Sequence, residues 1–179
     1  ADLAAGVPGT RAPVAALAVP TDVSREDEVT ALVAAAQARF GPVDVFCSNA
    51  GIIRDGDEHA PDAQWSLNWQ VHVMAHVYAA RAVVPGMVER GWGRIITTTS
   101  YGATGLLGSP IFAAAMGGVI SMTKAIAHEH TGSGVTANCL APGAATRLHE
   151  MSRTHFEELH ATGQIDDEMW DNYDNTPPP

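Results

Sequence analysis

Short apolar runs alternate with longer helix-periodic segments through most of this chain, and that alternation restricts its fold more than any other feature. VAALAV (14–19), VDVFC (43–47), RIITT (94–98) and VTANCL (135–140) each have the length and content of a buried strand. Between the first two, Ser24 with Asp27 three residues on resembles a capping box with Asp in place of Glu or Gln. Val29, Leu32, Val33, Ala36 and Phe40 then recur at helical spacing until Gly41-Pro42 stop the helix. Residues 66–90 read as one long helix with Val71, Met74, Val77, Tyr78, Ala82 and Met87 as its apolar positions, and Pro110 to about His130 reads as another. Strand, helix, strand, helix, strand, helix, strand predicts an α/β fold with a parallel sheet covered on both faces.

Composition narrows the class further. The 179 residues suit one domain with a substantial core, and 46% apolar content excludes a disordered chain. A net charge of -10 repels phosphate backbones, so no nucleic-acid partner is expected. No uninterrupted apolar run reaches the roughly 18 residues of a membrane span, so no membrane partner is expected either. ADLAAGVPGTRAP has neither a basic n-region nor a continuous apolar h-region, and so does not read as a signal peptide. Cys47 and Cys139 show no metal spacing and no disulfide framework. A soluble, cytoplasmic protein is the expectation. The stretch from Arg147 to Pro179 changes character, with 8 acids against 2 bases and a terminal NTPPP. Residues 1–148 are therefore expected to form the α/β domain and 149–179 an acidic, mobile flap or tail, with weak helical periodicity through Met151, Phe156 and Leu159.

The motifs at the strand ends form an ordered set: Asp22-Val23, then Asn49-Ala50-Gly51, then Gly93-Arg94-Ile95, then Asn138 with Pro142-Gly143. At this spacing the set resembles the short-chain dehydrogenase/reductase family over roughly residues 14–148. The resemblance implies a Rossmann-type, doubly wound parallel sheet and NAD or NADP as cofactor, with a small carbonyl or alcohol as substrate. It also implies that Asp22 and Val23 meet the adenine, that Asn49, Ala50 and Gly51 let the backbone pass close to the cofactor, that Pro142 and Gly143 lie against the nicotinamide, and that Thr146 touches the pyrophosphate. Such positions suit the rule that ligands of open α/β sheets bind at the carboxyl ends of strands. In the family, helices like 66–90 and 110–130 pack against a second subunit, so a homo-oligomer is implied.

Two parts of the family pattern are missing. No G-x-x-x-G-x-G or G-x-G-x-x-G occurs, although that loop delivers backbone N–H groups and a helix N-terminus to the pyrophosphate. A chain starting at the family's third strand, about 50 residues late, would show this gap, since a βαβ unit takes roughly 30 residues or more. The pattern also expects a further strand at the end. The sheet is thus expected to be incomplete, lacking its first βαβ region and last strand, with its apolar faces and backbone edges left without a partner.

The second missing part is the catalytic group. The family uses Tyr-x-x-x-Lys on the helix after the third strand, in which tyrosinate exchanges a proton with the substrate and Lys lowers its pKa. FAAAMGGVISMTKAIA aligns there and puts Phe112 at the Tyr position and Met116 at the Lys position. The family Ser falls at Thr99 or Ser100, and the family Asn at His72. Phe has no proton to give and Met no charge to depress a pKa. Tyr101 stands beside the hydroxyls, but a loop Tyr is more often packed or solvated. Lys124 is the chain's one lysine, two helical turns past Met116 and about 12 Å along the axis.

His72 and His76 have the i,i+4 spacing of a zinc pair, yet no third ligand is marked, so core or surface histidines are expected and no metal. Met74, Met87, Met116 and Met122 read as core filler, and Gly91-Trp92-Gly93 as a helix stop. An oxidoreductase of this lineage, inactive as written, is the expected function. The alternatives are a non-enzymatic nucleotide-binding or subunit-interaction protein, and a truncated product without function.

Overall fold

The structure is a computed structural model that describes residues 15–54, 56–105, 109–143 and 147–174. It divides into two compact units, Ala1–Leu140 and Ala141–Pro179.

The first unit is built on a three-stranded parallel sheet in the order β1-β2-β3, comprising β1 (Val45–Ser48), β2 (Gly93–Thr98) and β3 (Val135–Leu140). The register pairs Phe46 with Ile95 and Ile95 with Ala137. Chain order equals spatial order, so successive right-handed crossovers send every connecting helix to the same side. These helices are α2 (Asp62–Trp69), running through a π-helical turn at Gln70–Met74 into α3 (Ala75–Glu89), and α4 (Pro110–Glu129); α1 (Glu26–Phe40) precedes β1 and packs against α3. Val33, Val83, Val84 and Met87 meet Ile95, Val135 and Ala137 in one core cluster, while Val73, Ala115, Met116 and Val119 form a second.

Of the two helical layers of a doubly wound sheet, the described residues hold one. On the opposite face, Val45 is 48% and Leu140 54% exposed, and Thr136 and Asn138 are also exposed. That corrects the expectation of a sheet covered on both faces. It also explains why β1 is not the buried strand that VDVFC suggests: it begins at Val45, and Cys47 as well as Val45 faces outward. The first apolar run departs further. Residues 15–20 form no strand, with Leu17 47% exposed, and Val14 lies outside the described residues. An apolar run becomes a strand only when a neighbour takes its ladder bonds, and none of the three described strands flanks this one.

The helices follow the sequence with local differences. At α1 the capping box does not form. Ser24 Oγ donates to Asp22 Oδ1 at 2.7 Å, and Glu28 Oε2, rather than Asp27, accepts from the Asp22 N–H at 2.6 Å. Gly41, at φ 89°, ends α1 in a conformation a side chain would resist. The long helix starts at Asp62, earlier than residue 66, because Pro61 sits at its N-cap. Taken together, Asp62–Glu89 and Pro110–Glu129 are long and apolar enough to cross a bilayer on length and composition alone; here both pack on the sheet. Uninterrupted apolar runs missed this because both helices interleave polar residues.

The second unit is helical where the sequence suggested a mobile tail. It contains α5 (Arg147–Ala161) and α6 (Asp167–Asp174), with Phe156, Leu159 and Ile165 buried. His160 stacks on Trp170 with ring centroids 5.3 Å apart, and its Nε2 pairs with Asp167 Oδ1 at 2.9 Å. The apolar spacing seen at 151, 156 and 159 is enough for a helix once a second helix lies against it.

Candidate functional site

The carboxyl ends of β1 and β2 and the first turns of α3 and α4 bring most of the expected site residues together. Asn49 and Gly51 follow β1, Thr99 and Ser100 follow β2, His72 sits in the π-turn, and Phe112 and Met116 lie one turn apart on α4.

His72 and Phe112 touch. Their rings are edge to face, with centroids 5.4 Å apart and planes at 89°. His72 is buried, and its Nε2–H donates to the Ile52 carbonyl at 2.9 Å. Burial lowers its pKa, and the Ile52 bond offsets this in part, so the imidazole is neutral near pH 7. Met116 is 3% exposed among Val73, Ala115 and Val119. This corner holds a phenyl ring, a thioether and a neutral imidazole.

The two hydroxyls have different fates. Thr99 is buried and donates to the Met116 carbonyl at 2.9 Å, which ties β2 to α4. Ser100 is half-buried and accepts from the Gly102 N–H at 3.2 Å, capping the 3₁₀ turn Tyr101–Thr104. Tyr101 is 69% exposed, as a solvated loop residue would be.

The cofactor-side residues are largely engaged within the fold. Asn49 Oδ1 accepts from Thr98 Oγ1 at 2.8 Å, fastening the end of β1 to the end of β2. A Cβ at Gly51 would stand 2.9 Å from His72 Cε1, so Gly51 is required by close approach to the histidine itself. Asp22 is exposed, and its Oδ1 accepts from both the N–H and the hydroxyl of Ser24, which lowers its pKa. That is the geometry of a turn before a helix. Asn138 faces the open side of the sheet, 3.5 Å from Thr136 Oγ1. Pro142 and Gly143 lie in the second unit, and Thr146 lies outside the described residues.

Asp22, Ser24, Ile52, Ile53, Arg54, Leu67 and Val71 line an open cavity of about 420 Å³. Its apolar wall with a carboxylate at the rim suits a flat base carrying an amino group. The residues present thus fit the adenosine end of a dinucleotide, whereas the pyrophosphate would find no glycine-rich loop in this sequence. Of the lining residues, only Asp22 was marked as a cofactor residue; Ser24 was marked as a helix cap and Val71 as an apolar helix position.

A second contact was also not legible. His76 is 3% exposed, and its Nδ1 lies 2.6 Å from Ser48 Oγ. Burial brings its pKa down to about 4, partly opposed by a hydrogen bond to the Thr98 backbone. The His72/His76 spacing was visible, but the partner serine had no sequence signal. Among the described residues, no group of three or more His, Cys, Asp or Glu side chains could hold a metal.

Comparison with known proteins fits this geometry. The family model described as short chain dehydrogenase matches residues 4–158. Nodulation protein G of Azospirillum brasilense is 43% identical over 124 residues, covering 68% of this chain and 50% of that protein. A protein of Xanthobacter autotrophicus named inactive 2-(S)-hydroxypropyl-CoM dehydrogenase 2 is 35% identical, covering 72% of this chain and 57% of its own length. The crystal structure of a short-chain dehydrogenase from Streptomyces avermitilis superimposes with a TM-score of 0.66 at 26% identity, covering 70% of this chain and 47% of that one. The chain spans about half the length of the curated relatives it matches. With the parallel sheet, the strand-end motifs and the family model in agreement, the chain belongs to the short-chain dehydrogenase family.

Proposed function

We propose that this chain has the NAD(P)-dependent carbonyl/alcohol oxidoreductase lineage of its family but does not itself perform hydride transfer. The observation that carries this is the edge-to-face packing of His72 on Phe112 beside buried Met116. Reduction of a carbonyl needs a proton donor at the oxygen and a charge that tunes it. Phe112 and Met116 supply neither, and neutral His72 has its Nε2–H committed to Ile52. NADH or NADPH, when bound in a complete family site, would supply the hydride for carbonyl reduction, and the oxidised form would accept it from an alcohol. Asp22 and the cavity beside Ile52 would hold its adenosine end, and Asn49–Gly51 would pass along it.

The exposure of Leu67 (42%) and Trp69 (45%) on α2 favours a second reading, in which helices 66–90 and 110–130 bind another subunit, as in a homo-oligomer. Two residues apart, they lie on different sides of α2 and offer two separate apolar contacts rather than one patch. The charge of -10 disfavours nucleic acid and anionic membrane surfaces as partners.

Thermal melts with and without saturating NADH and NADPH test the reading. A ligand at 100 times its Kd adds about 2.7 kcal/mol, a shift of a few degrees. A shift with either nucleotide supports a retained site. A cooperative melt that ignores both removes the cofactor from the proposal and leaves the subunit reading.

A further inference from the structure

Arg54 is a cation that the fold leaves unpaired, and it lines the cavity beside Ile52. Elsewhere in the first unit Arg25 pairs with Asp27 and Glu28, Arg81 with Glu26, and Arg90 with Asp44, while Arg94 is bonded to the Gly93 and Gly134 carbonyls. In a chain of 20 acids and 10 bases, an arginine without a carboxylate is a departure. The Arg54 side chain is exposed, and among the described residues its guanidinium has neither an ion pair nor a hydrogen bond. Its main chain, by contrast, is fixed. The Arg54 carbonyl accepts from Nδ2 of the fully buried Asn68 at 3.1 Å, and the same amide donates to the Gln64 carbonyl at 3.2 Å. Residue 54 is thus fastened to α2 while its charge stays free at the cavity.

The same cavity carries one carboxylate. Asp22 engages Oδ1 with the N–H and hydroxyl of Ser24, and its Oδ2 has no hydrogen bond among the described residues. Ile52, Ile53, Leu67 and Val71 supply the apolar part of the lining. A cavity of about 420 Å³ with an apolar wall and two free groups of opposite charge selects a ligand by both of its ends. One end must donate to a carboxylate, the other must be an anion, and the part between them must be flat and apolar.

We propose that this cavity is a site for an aminopurine mononucleotide, adenosine monophosphate being the simplest, with Asp22 on the exocyclic amino group and Arg54 on the phosphate. The proposal rests on the adenosine reading of the cavity given above and adds a phosphate end to it. A guanidinium presents paired N–H donors that match two phosphate oxygens, which makes Arg54 a reader of the anion and not merely a nearby charge. The amino group of the base donates to Asp22 Oδ2. A keto group in its place sets an acceptor against a carboxylate and leaves both without a partner. The lining holds one cation, so it suits one phosphate, and the rest of a dinucleotide gains no further charged contact from it.

Calorimetric titration of the intact protein with adenosine, AMP, IMP and NADH tests the site. AMP is expected to bind about fivefold tighter than adenosine, a gap that narrows as salt rises. Arg54→Gln is expected to abolish the gap while leaving adenosine affinity within about twofold, and Arg54→Lys to restore part of it. AMP is expected to bind about tenfold tighter than IMP, and Asp22→Asn to remove that preference. NADH is expected to bind no tighter than AMP. Equal affinity for AMP and adenosine in the wild type, or a loss in Arg54→Gln that falls equally on both, would overturn the proposal. If NADH binds while AMP and adenosine stay equal, the proposal fails and the dinucleotide reading stands; if none of these ligands binds, both fail. Should a variant not fold, the wild-type comparison of AMP with adenosine and its salt dependence decide.

Discussion

His72 meets Phe112 edge-on, with ring centroids 5.4 Å apart and planes at 89°, an aromatic packing pair. An imidazole N–H and a phenol at these positions could share a proton; an imidazole and a phenyl ring can only pack. The contact is worth about 1 kcal/mol beyond burial.

Gly51→Ala is expected to destabilise the first unit by about 1–3 kcal/mol, since the added Cβ would sit 2.9 Å from a histidine ring pinned by Ile52. Adding His72→Asn should recover part of that loss. A double-mutant cycle by urea melts measures it; additive costs would show that the two residues do not collide.

Thr97 Oγ1 and Thr123 Oγ1 lie 2.8 Å apart, both buried, and Thr123 also donates to the Val119 carbonyl at 2.7 Å. Thr123→Val keeps the shape but leaves Thr97 with a distant carbonyl at 3.5 Å. A loss of about 1–3 kcal/mol is expected, and Thr123→Ser should keep most of it. Chemical denaturation of both variants distinguishes the hydroxyl from the methyl group.

Acid should weaken the fold through His76. Its folded pKa is depressed, to about 4, against about 6.5 when unfolded. The stabilisation is therefore full above 6.5, falls as pH drops and the unfolded state takes up the proton first, and levels off below 4. The span corresponds to roughly 3 kcal/mol at most. Melts of wild type and His76→Gln across this range should diverge at neutral pH and converge in acid.

Much of this was legible in the residues and some was not. The strand Val135–Leu140 and the helix from Pro110 stand where the sequence predicted them, because their patterns are long and their stops, Pro142 and His130, are local. Residues 15–19 are as apolar as any strand here, but pairing is a property of neighbours, and among the described residues no strand flanks them. The π-turn left no mark in the apolar spacing of 66–90, which reads as one regular helix. For the site, positions 112 and 116 were singled out by their place in the family pattern. What these two side chains do, Phe112 packing on His72 and Met116 filling the core, needed the geometry, as did the bond between Ser48 and His76.

The central claim is that Phe112, Met116 and His72 leave no proton donor for carbonyl reduction. Its most direct test follows NADH and NADPH absorbance with the purified protein and a panel of ketones, aldehydes and alcohols. The account predicts no nucleotide turnover above the protein-free background for any substrate. Steady turnover that survives repurification and disappears in a His72→Asn variant would contradict it, and would make His72 the proton donor the account says is missing.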